Sequence, residues 1–214
     1  MISINIWLDK LSLFVYIVNM NDTTLRILQA ALEIFGNYGY RQANMALVAE
    51  AAGLSRQALY TYFATKEELF TAVVDYLHNQ SIEHALQAMT EAEARGPVAV
   101  FYALLEGRYG YFFEHIYIYT HGTELVAESN RQCGELNLAA TRRFQSILHD
   151  IVEREVVNGR ITLTHSDLQT DTFADLLLRA AYGLKGREPY PLSLEAFRAS
   201  LQHMITLLTA SLLP

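Results

Sequence analysis

Four side chains in the middle of the chain carry metal-binding chemistry at short separation: Glu114, His115, His121 and Glu124. Zinc takes imidazole and carboxylate ligands in tetrahedral sets. No pair here has the H-E-x-x-H spacing that puts two histidines on one helix face. The single thiol, Cys133, could sense oxidants, but the chain offers no second cysteine to resolve it. A buried, inert thiol is the alternative. No G-x-S-x-G elbow, P-loop or G-x-G-x-x-G string occurs, so enzyme chemistry has no visible carrier. Neither a catalytic residue nor a metal nor a cofactor is expected.

The informative spacing lies earlier, in Gly39 to Leu69 (GYRQANMALVAEAAGLSRQALYTYFATKEEL). Two helices can cross steeply only where small residues let their backbones approach. Ala49 is small, and Gly53, four residues on, can take the positive-φ turn between helices. Leu59, six further on, can bury against Val48 and Leu54. Asn44 and Ser55 are good N-caps for two short helices, Met45–Ala52 and Ser55–Phe63. Thr65 and Glu68 form a capping box that starts a longer helix. This order of features is what a helix-turn-helix DNA reader needs. A purely structural crossing of helices, with Tyr60, Tyr62 and Phe63 as core rings, is the alternative from the offsets alone.

Those elements need a scaffold, and the rest of the chain reads as helix after helix. No segment sustains a two-residue alternation, and apolar residues recur at three to four. A first helix over about Thr23–Tyr38 puts Ile27, Ala31, Ile34 and Phe35 on one face. Asp22 and Thr23 are its capping candidates, and Gly36 and Gly39 help end it. Further helices are expected from Thr65 to about Ala94, Pro97 to about Tyr119, Thr123 to Asn130, and on to Val157. Ser166–Gln169 reads as a second capping box, opening a helix to about Tyr182. Pro189 and Pro191 mark a loop, and Ser193 caps a last helix. Leu194, Phe197, Leu201, Ile205, Leu208 and Leu212 form that helix's apolar stripe. The last two helices carry more apolar surface than a lone pair can cover.

Composition bounds these readings. The 214 residues are 51% hydrophobic and 18% charged, an ordinary globular balance. One cysteine excludes an internal disulfide, which fits a reducing cytoplasm. A net charge of −7 excludes a uniformly basic nucleic-acid binder, so any DNA contact must be local. Residues 1–19 are apolar but split by Asp9 and Lys10, and the clean run Leu11–Val18 is too short to cross a bilayer. Three readings stand for them: an extension packed on the body, a start at Met20 with an over-long upstream assignment, or a membrane- or partner-binding segment. No membrane span is expected.

Phe35, Gly39-Tyr40, Val48-Ala49, Ala52-Gly53-Leu54-Ser55, Leu59-Tyr60-x-Tyr62-Phe63 and Lys66-Glu67-Glu68-Leu69 together resemble the TetR family of transcriptional regulators. The resemblance covers Thr23 to Phe70. It implies an all-α chain in which residues 1–21 are an extension, 22–68 a three-helix helix-turn-helix domain, and 69–214 a helical ligand-binding and dimerisation domain. It implies a recognition helix over Ser55–Tyr62 lying in the major groove. Arg56 and Gln57 would read base edges, since Arg suits guanine and Gln suits adenine. Tyr60 and Lys66 match positions that hold phosphate, and the helix starts at Asn44 and Ser55 present backbone N–H groups that could take phosphates. Tyr62 and Phe63 would pack the module. Gln57 departs from the Gly or Ala common in the family, and Ala43 from its usual threonine. Between Asn21 and Phe70, Arg26, Arg41, Arg56 and Lys66 face Asp22, Glu33, Glu50, Glu67 and Glu68, so non-specific DNA affinity should be weak.

The resemblance also implies a homodimer on double-stranded DNA with a palindromic operator, and a repressor released by a small-molecule ligand. The aromatic run Tyr102, Tyr109, Tyr111, Phe112, Phe113, His115, Tyr117 and Tyr119 suits an apolar or aromatic ligand with a few polar anchors. A pocket drawing on Tyr76, Tyr102, Phe112, His115 and Phe144 is the expectation; rings that simply fill a helical core are the alternative. An activator, a regulator gated by a protein partner, and a helical-bundle enzyme or carrier remain the competing functions.

Overall fold

The computed structural model describes residues 20–163, 168–184, 193–210 and 212–213. Readings that fall on residues 1–19, on Ser166 and on Pro189 and Pro191 lie outside the described residues. Among the described residues the chain is all-α.

Helix α1 (Asp22–Gln42) starts at Asn21, whose side chain accepts from the Thr24 N–H at 2.7 Å. Asn21 therefore takes the capping role expected of Asp22 or Thr23. The helix also runs past Gly36 and Gly39. Gly39 sits at φ 76° and kinks it, and four residues later Ala43 leaves the helix. Gly36 is a contact position: the Tyr119 ring lies where a side chain would stand.

Two short helices follow, α2 (Met45–Ala51) and α3 (Arg56–Tyr62). The long helix α4 (Lys66–Ala92) begins at the capping box. Thr65 Oγ1 accepts from the Glu68 N–H at 3.0 Å, and the Glu68 carboxylate accepts from Ala64 at 2.8 Å, one residue earlier than a reciprocal pair would have it. After a 3₁₀ turn (Glu93–Arg95) come α5 (Pro97–His115), α6 (Gly122–Gln132), α7 (Gly134–Val157), α8 (Thr170–Gly183) and α9 (Leu194–Thr209). Helix α5 ends at His115, four residues before the expected Tyr119. Helix α8 starts at Thr170, behind Gln169, which makes no side-chain cap bond. Ser193 caps α9 through the Ala196 N–H at 3.1 Å.

The chain forms two compact units. One takes the described residues up to Gln80 together with Glu114–Ala140; the other takes Ser81–Phe113 and the described residues from Thr141 on. The division runs through α4, α5 and α7, so a single helix supplies residues to both.

In the first unit, Phe35, Tyr40 and Phe70 meet ring to ring, with Phe35 and Phe70 edge-on at 5.4 Å and Tyr40 and Phe70 at 4.8 Å. Helix α6 packs on α1, and the His121 N–H donates to the Gly36 carbonyl at 2.9 Å.

In the second unit, most of α5 is buried, including Val100, Phe101, Leu104, Leu105, Tyr111 and Phe113, while Tyr102, Glu106 and Phe112 are half-buried. Phe101 meets Phe173 of α8 at 6.0 Å, and Phe113 stacks on Phe197 of α9 at 5.2 Å. Gly107 lets α5 approach the α4 backbone at Ala85. Phe197, Leu201 and Ile205 of the expected α9 stripe are fully buried, and Thr209 joins them in place of Leu208.

Candidate nucleic-acid interface

The crossing of α2 and α3 is set by how α2 ends. Gly53 sits at φ 67°, where glycine carries no steric penalty. Its N–H donates to the Glu50 carbonyl at 3.0 Å, and the Leu54 N–H reaches back to the Ala49 carbonyl at 2.8 Å. These two bonds are a Schellman motif, which turns the chain sharply after α2. Arg26 of α1 donates from Nη2 to the Ala52 carbonyl at 2.7 Å and pins the same end. Val48, Ala49 and Leu59 are buried between the helices. Ser55 then starts α3, its hydroxyl accepting from the Ala58 N–H at 3.1 Å.

Burying Leu59 decides which face of α3 meets solvent. Arg56, Gln57, Tyr60, Thr61 and Tyr62 are exposed together, Tyr60 at 40% and Tyr62 at 39%. Tyr62 is therefore not the packing residue expected beside Phe63; Phe63 is buried and Tyr62 faces out. Arg56 and Tyr60 are one helical turn apart and touch. Arg56 Nη2 donates to the Tyr60 hydroxyl at 3.4 Å, with its guanidinium carbon 5.5 Å from the ring centre.

The remaining expected contacts are placed as follows. Asn44 is exposed, and its side chain accepts from the Ala46 and Leu47 N–H groups at 3.0 and 3.1 Å. Two of the backbone donors expected to meet phosphate at α2 are thus bonded to the cap, as is that of Ala58 at α3. Lys66 is half-buried. Its ammonium donates to the Tyr40 and Ala43 carbonyls at 3.0 and 3.1 Å. Sequence reasoning missed this role, and it missed Tyr40, whose hydroxyl donates to Glu67 at 3.1 Å. Burial pushes the Tyr40 phenol above its ordinary pKa. A hydrogen bond from its own backbone N–H, then the one from Tyr40, holds the Glu67 carboxyl below its ordinary value. The signal available in sequence was the Gly39-Tyr40 pair, which marks a break in the helix but names no partner.

The five residues expected in a ligand pocket divide between the units. Tyr76 and His115 belong to the first; Tyr102, Phe112 and Phe144 belong to the second. Phe112 and Phe144 converge on Arg108, whose guanidinium carbon lies 5.1 and 5.6 Å from their ring centres. Arg108 is buried and donates to the Ser81 hydroxyl. Burial lowers its pKa to about 10, so it stays charged at neutral pH. Tyr109, which meets Phe144 edge-on at 6.2 Å, is pushed by burial up to about 12. Tyr102 is half-buried near the Glu106–Arg198 pair, which closes at 2.7 Å, and burial first and the Glu106 charge next push its phenol above the ordinary range. His121 and Glu124 pair at 2.8 Å on α6. Cys133 is buried, 3.7 Å from the Thr71 hydroxyl. Among the described residues no helix is long and apolar enough to cross a membrane.

Comparison with known proteins agrees with this geometry. The family model for bacterial regulatory proteins of the tetR family matches residues 27–73, from the middle of α1 into α4. The HTH-type transcriptional regulator SrpR of Pseudomonas putida is 28% identical over 179 residues, 78% of each chain. The HTH-type transcriptional activator FasR of Mycolicibacterium smegmatis is 33% identical over 101 residues, which is 44% of this chain and under half of FasR, 46%. A TetR transcription regulator from Haloarcula marismortui has a TM-score of 0.68 at 18% identity, covering 91% of this chain and all of its own; that likeness shows the fold alone. SrpR and FasR are regulators of transcription. Residues 27–73 thus carry the helix-turn-helix domain of the TetR family of transcriptional regulators, and most of the chain is similar to a regulator of that kind.

Proposed function

We propose that the protein is a dimeric repressor that binds a palindromic operator through α3 and leaves it when a small apolar or aromatic ligand binds. The observation that carries this reading is the face of α3: Leu59 is fully buried, and the opposite side shows Arg56, Gln57 and Tyr60 to solvent. Arg56 and Gln57 supply the paired donors and acceptors that read guanine and adenine in the major groove. Tyr60 would meet a phosphate, Lys66 braces the reader from within through the Tyr40 and Ala43 carbonyls, and Asn44 and Ser55 fix the helix starts that aim these side chains.

Dimerisation draws support from α8 and α9, which leave Leu176 43% and Leu207 77% exposed. Apolar side chains left out on neighbouring helices suit a four-helix interface with a second copy, and a two-fold dimer matches a palindrome. Ligand gating draws support from the rings around Arg108. Helix α4 starts at the capping box beside α3 and supplies Ser81 to that ring cluster. A ligand that prefers a conformation with misaligned readers lowers DNA affinity by its differential binding to the two states.

Gel-shift binding to the DNA upstream of the protein's own gene tests the reading. Wild type should shift it, and a combined Arg56→Ala, Tyr60→Ala variant should not. Equal binding by the two removes the reader assignment. Failure of every compound in an aromatic ligand library to release the DNA removes the gating.

A further inference from the structure

Arginine is a poor reader when its side chain is loose. An exposed arginine has many rotamers, and fixing one against a base edge costs conformational entropy. Arg56 is exposed but not loose: it is in contact with Tyr60 through both the hydroxyl and the ring. Tyr60 is itself more than half covered and follows Leu59, which is fully buried. The ring is thus held by the helix that the buried leucine anchors.

The chemistry of the two groups lets this contact persist on DNA. A guanidinium has five N–H donors in a planar fork. A hydrogen bond from Nη2 to Tyr60 still leaves an edge with two parallel donors, which is what guanine O6 and N7 require. A phenol hydroxyl accepts and donates. By accepting from Arg56 it does not lose the ability to donate to a phosphate. At 3.4 Å the hydrogen bond is long, so it orients the guanidinium without competing strongly for it.

Building on the operator-binding reading above, we propose that Tyr60 is a positioning residue for base recognition: its ring and hydroxyl hold Arg56 toward the base edge, so discrimination at the base pair read by Arg56 depends on Tyr60. A tyrosine that only held phosphate would weaken binding equally on every sequence.

The experiment uses the full chain. Wild type selects a site from a random duplex library, and affinities are then measured on that site and each single base-pair variant. The proteins are wild type, Tyr60→Phe, Tyr60→Ala, Arg56→Ala and the Arg56→Ala, Tyr60→Phe double variant. Tyr60→Phe keeps the ring, so it preserves the helix surface if Tyr60→Ala folds poorly. The expected result is a loss of about two- to fivefold in discrimination, the size of an exposed hydrogen-bonded or cation–π contact, confined to the base pair that Arg56→Ala also relaxes. In the double variant, removing the Tyr60 hydroxyl causes no further loss at that pair. Uniform weakening on all sequences, or independent losses that multiply in the double variant, overturns the positioning role. If wild type selects no site at all, the operator reading fails, and that result is distinct from either.

Discussion

The ammonium of Lys66 lies 4.4 Å from the centre of the Tyr40 ring while donating to the Tyr40 carbonyl at 3.0 Å. One side chain at the start of α4 thus closes the end of α1. The carbonyls of Tyr40 and Ala43 stand where α1 and its kink run out, and such groups need donors. The contact joins two helices of the reader and bears directly on what a Lys66 substitution reports.

Lys66→Met keeps the aliphatic stem and removes the charge. It should lower stability by about 1–2 kcal/mol, the scale of charge-assisted hydrogen bonds in a half-buried setting. Urea unfolding of the full chain checks this. Should stability stay unchanged while the slope of log affinity against log salt falls by about 1, Lys66 serves phosphate and not the fold.

Glu155 is the second place where one substitution should be severe. It is fully buried, and its Oε1 accepts from Arg154 at 2.9 and 3.1 Å and from Arg160 at 2.6 Å. Arg160 arrives there because Gly159, at φ 68°, turns the chain after α7: Gly159 N–H donates to Val156 and Arg160 N–H to Glu155. Glu155→Ala leaves two guanidinium groups without that carboxylate. The expected cost is about 3–5 kcal/mol. A denaturant midpoint within error of wild type would show that the network is dispensable.

Asp175 should contribute stability that fades in acid. It accepts from Gln145 at 2.7 Å and pairs with His149 at 3.2 Å. The Gln145 hydrogen bond first, and then that from His149, holds its carboxyl below the ordinary range. A depressed folded pKa gives stability that is fully present above the unfolded value of about 3.9 and is lost as pH falls through the lower folded one. The stability gap between wild type and Asp175→Asn should therefore narrow as pH drops below about 4. Urea midpoints between pH of about 3 and 5.5 measure it, and a gap that widens toward acid contradicts the sign.

Gly107→Ala sets two effects against each other. Replacing glycine inside a helix gains about 1 kcal/mol from backbone entropy. The new Cβ, however, would lie 2.7 Å from Ala85 Cα and 3.1 Å from Ala85 N, both main-chain atoms of a neighbouring helix. Overpacking of that kind costs about 1–3 kcal/mol. The net effect should be a lower melting temperature, and a higher one would show that the helices part freely.

The helices were legible in the sequence because their causes are local. Asn44, Ser55, Thr65 and Ser193 cap through bonds to residues two or three positions away, as expected, whereas Glu68 accepts from Ala64 and not from Thr65. Gly53 announces its turn because no other residue takes that φ without cost. Asn21, Gly39 and His115 show where this local reading drifts: several polar residues compete to cap α1, a kink need not end it, and α5 stops without a strong breaker.

The sequence alone determined the succession of helices, the steep α2–α3 crossing and the chemistry available on α3. Only the tertiary structure decided which of those side chains face out and which are engaged. Tyr62 is exposed because Leu59 and Phe63 occupy the buried side. Lys66 turns inward because the Tyr40 and Ala43 carbonyls, more than twenty residues away, lie within reach. Arg108 becomes the centre of a ring cluster because Phe144, from another helix, joins Phe112, one turn away on its own. Partners far apart in sequence are chosen by packing and burial, which act on the whole chain at once, and no local spacing encodes them.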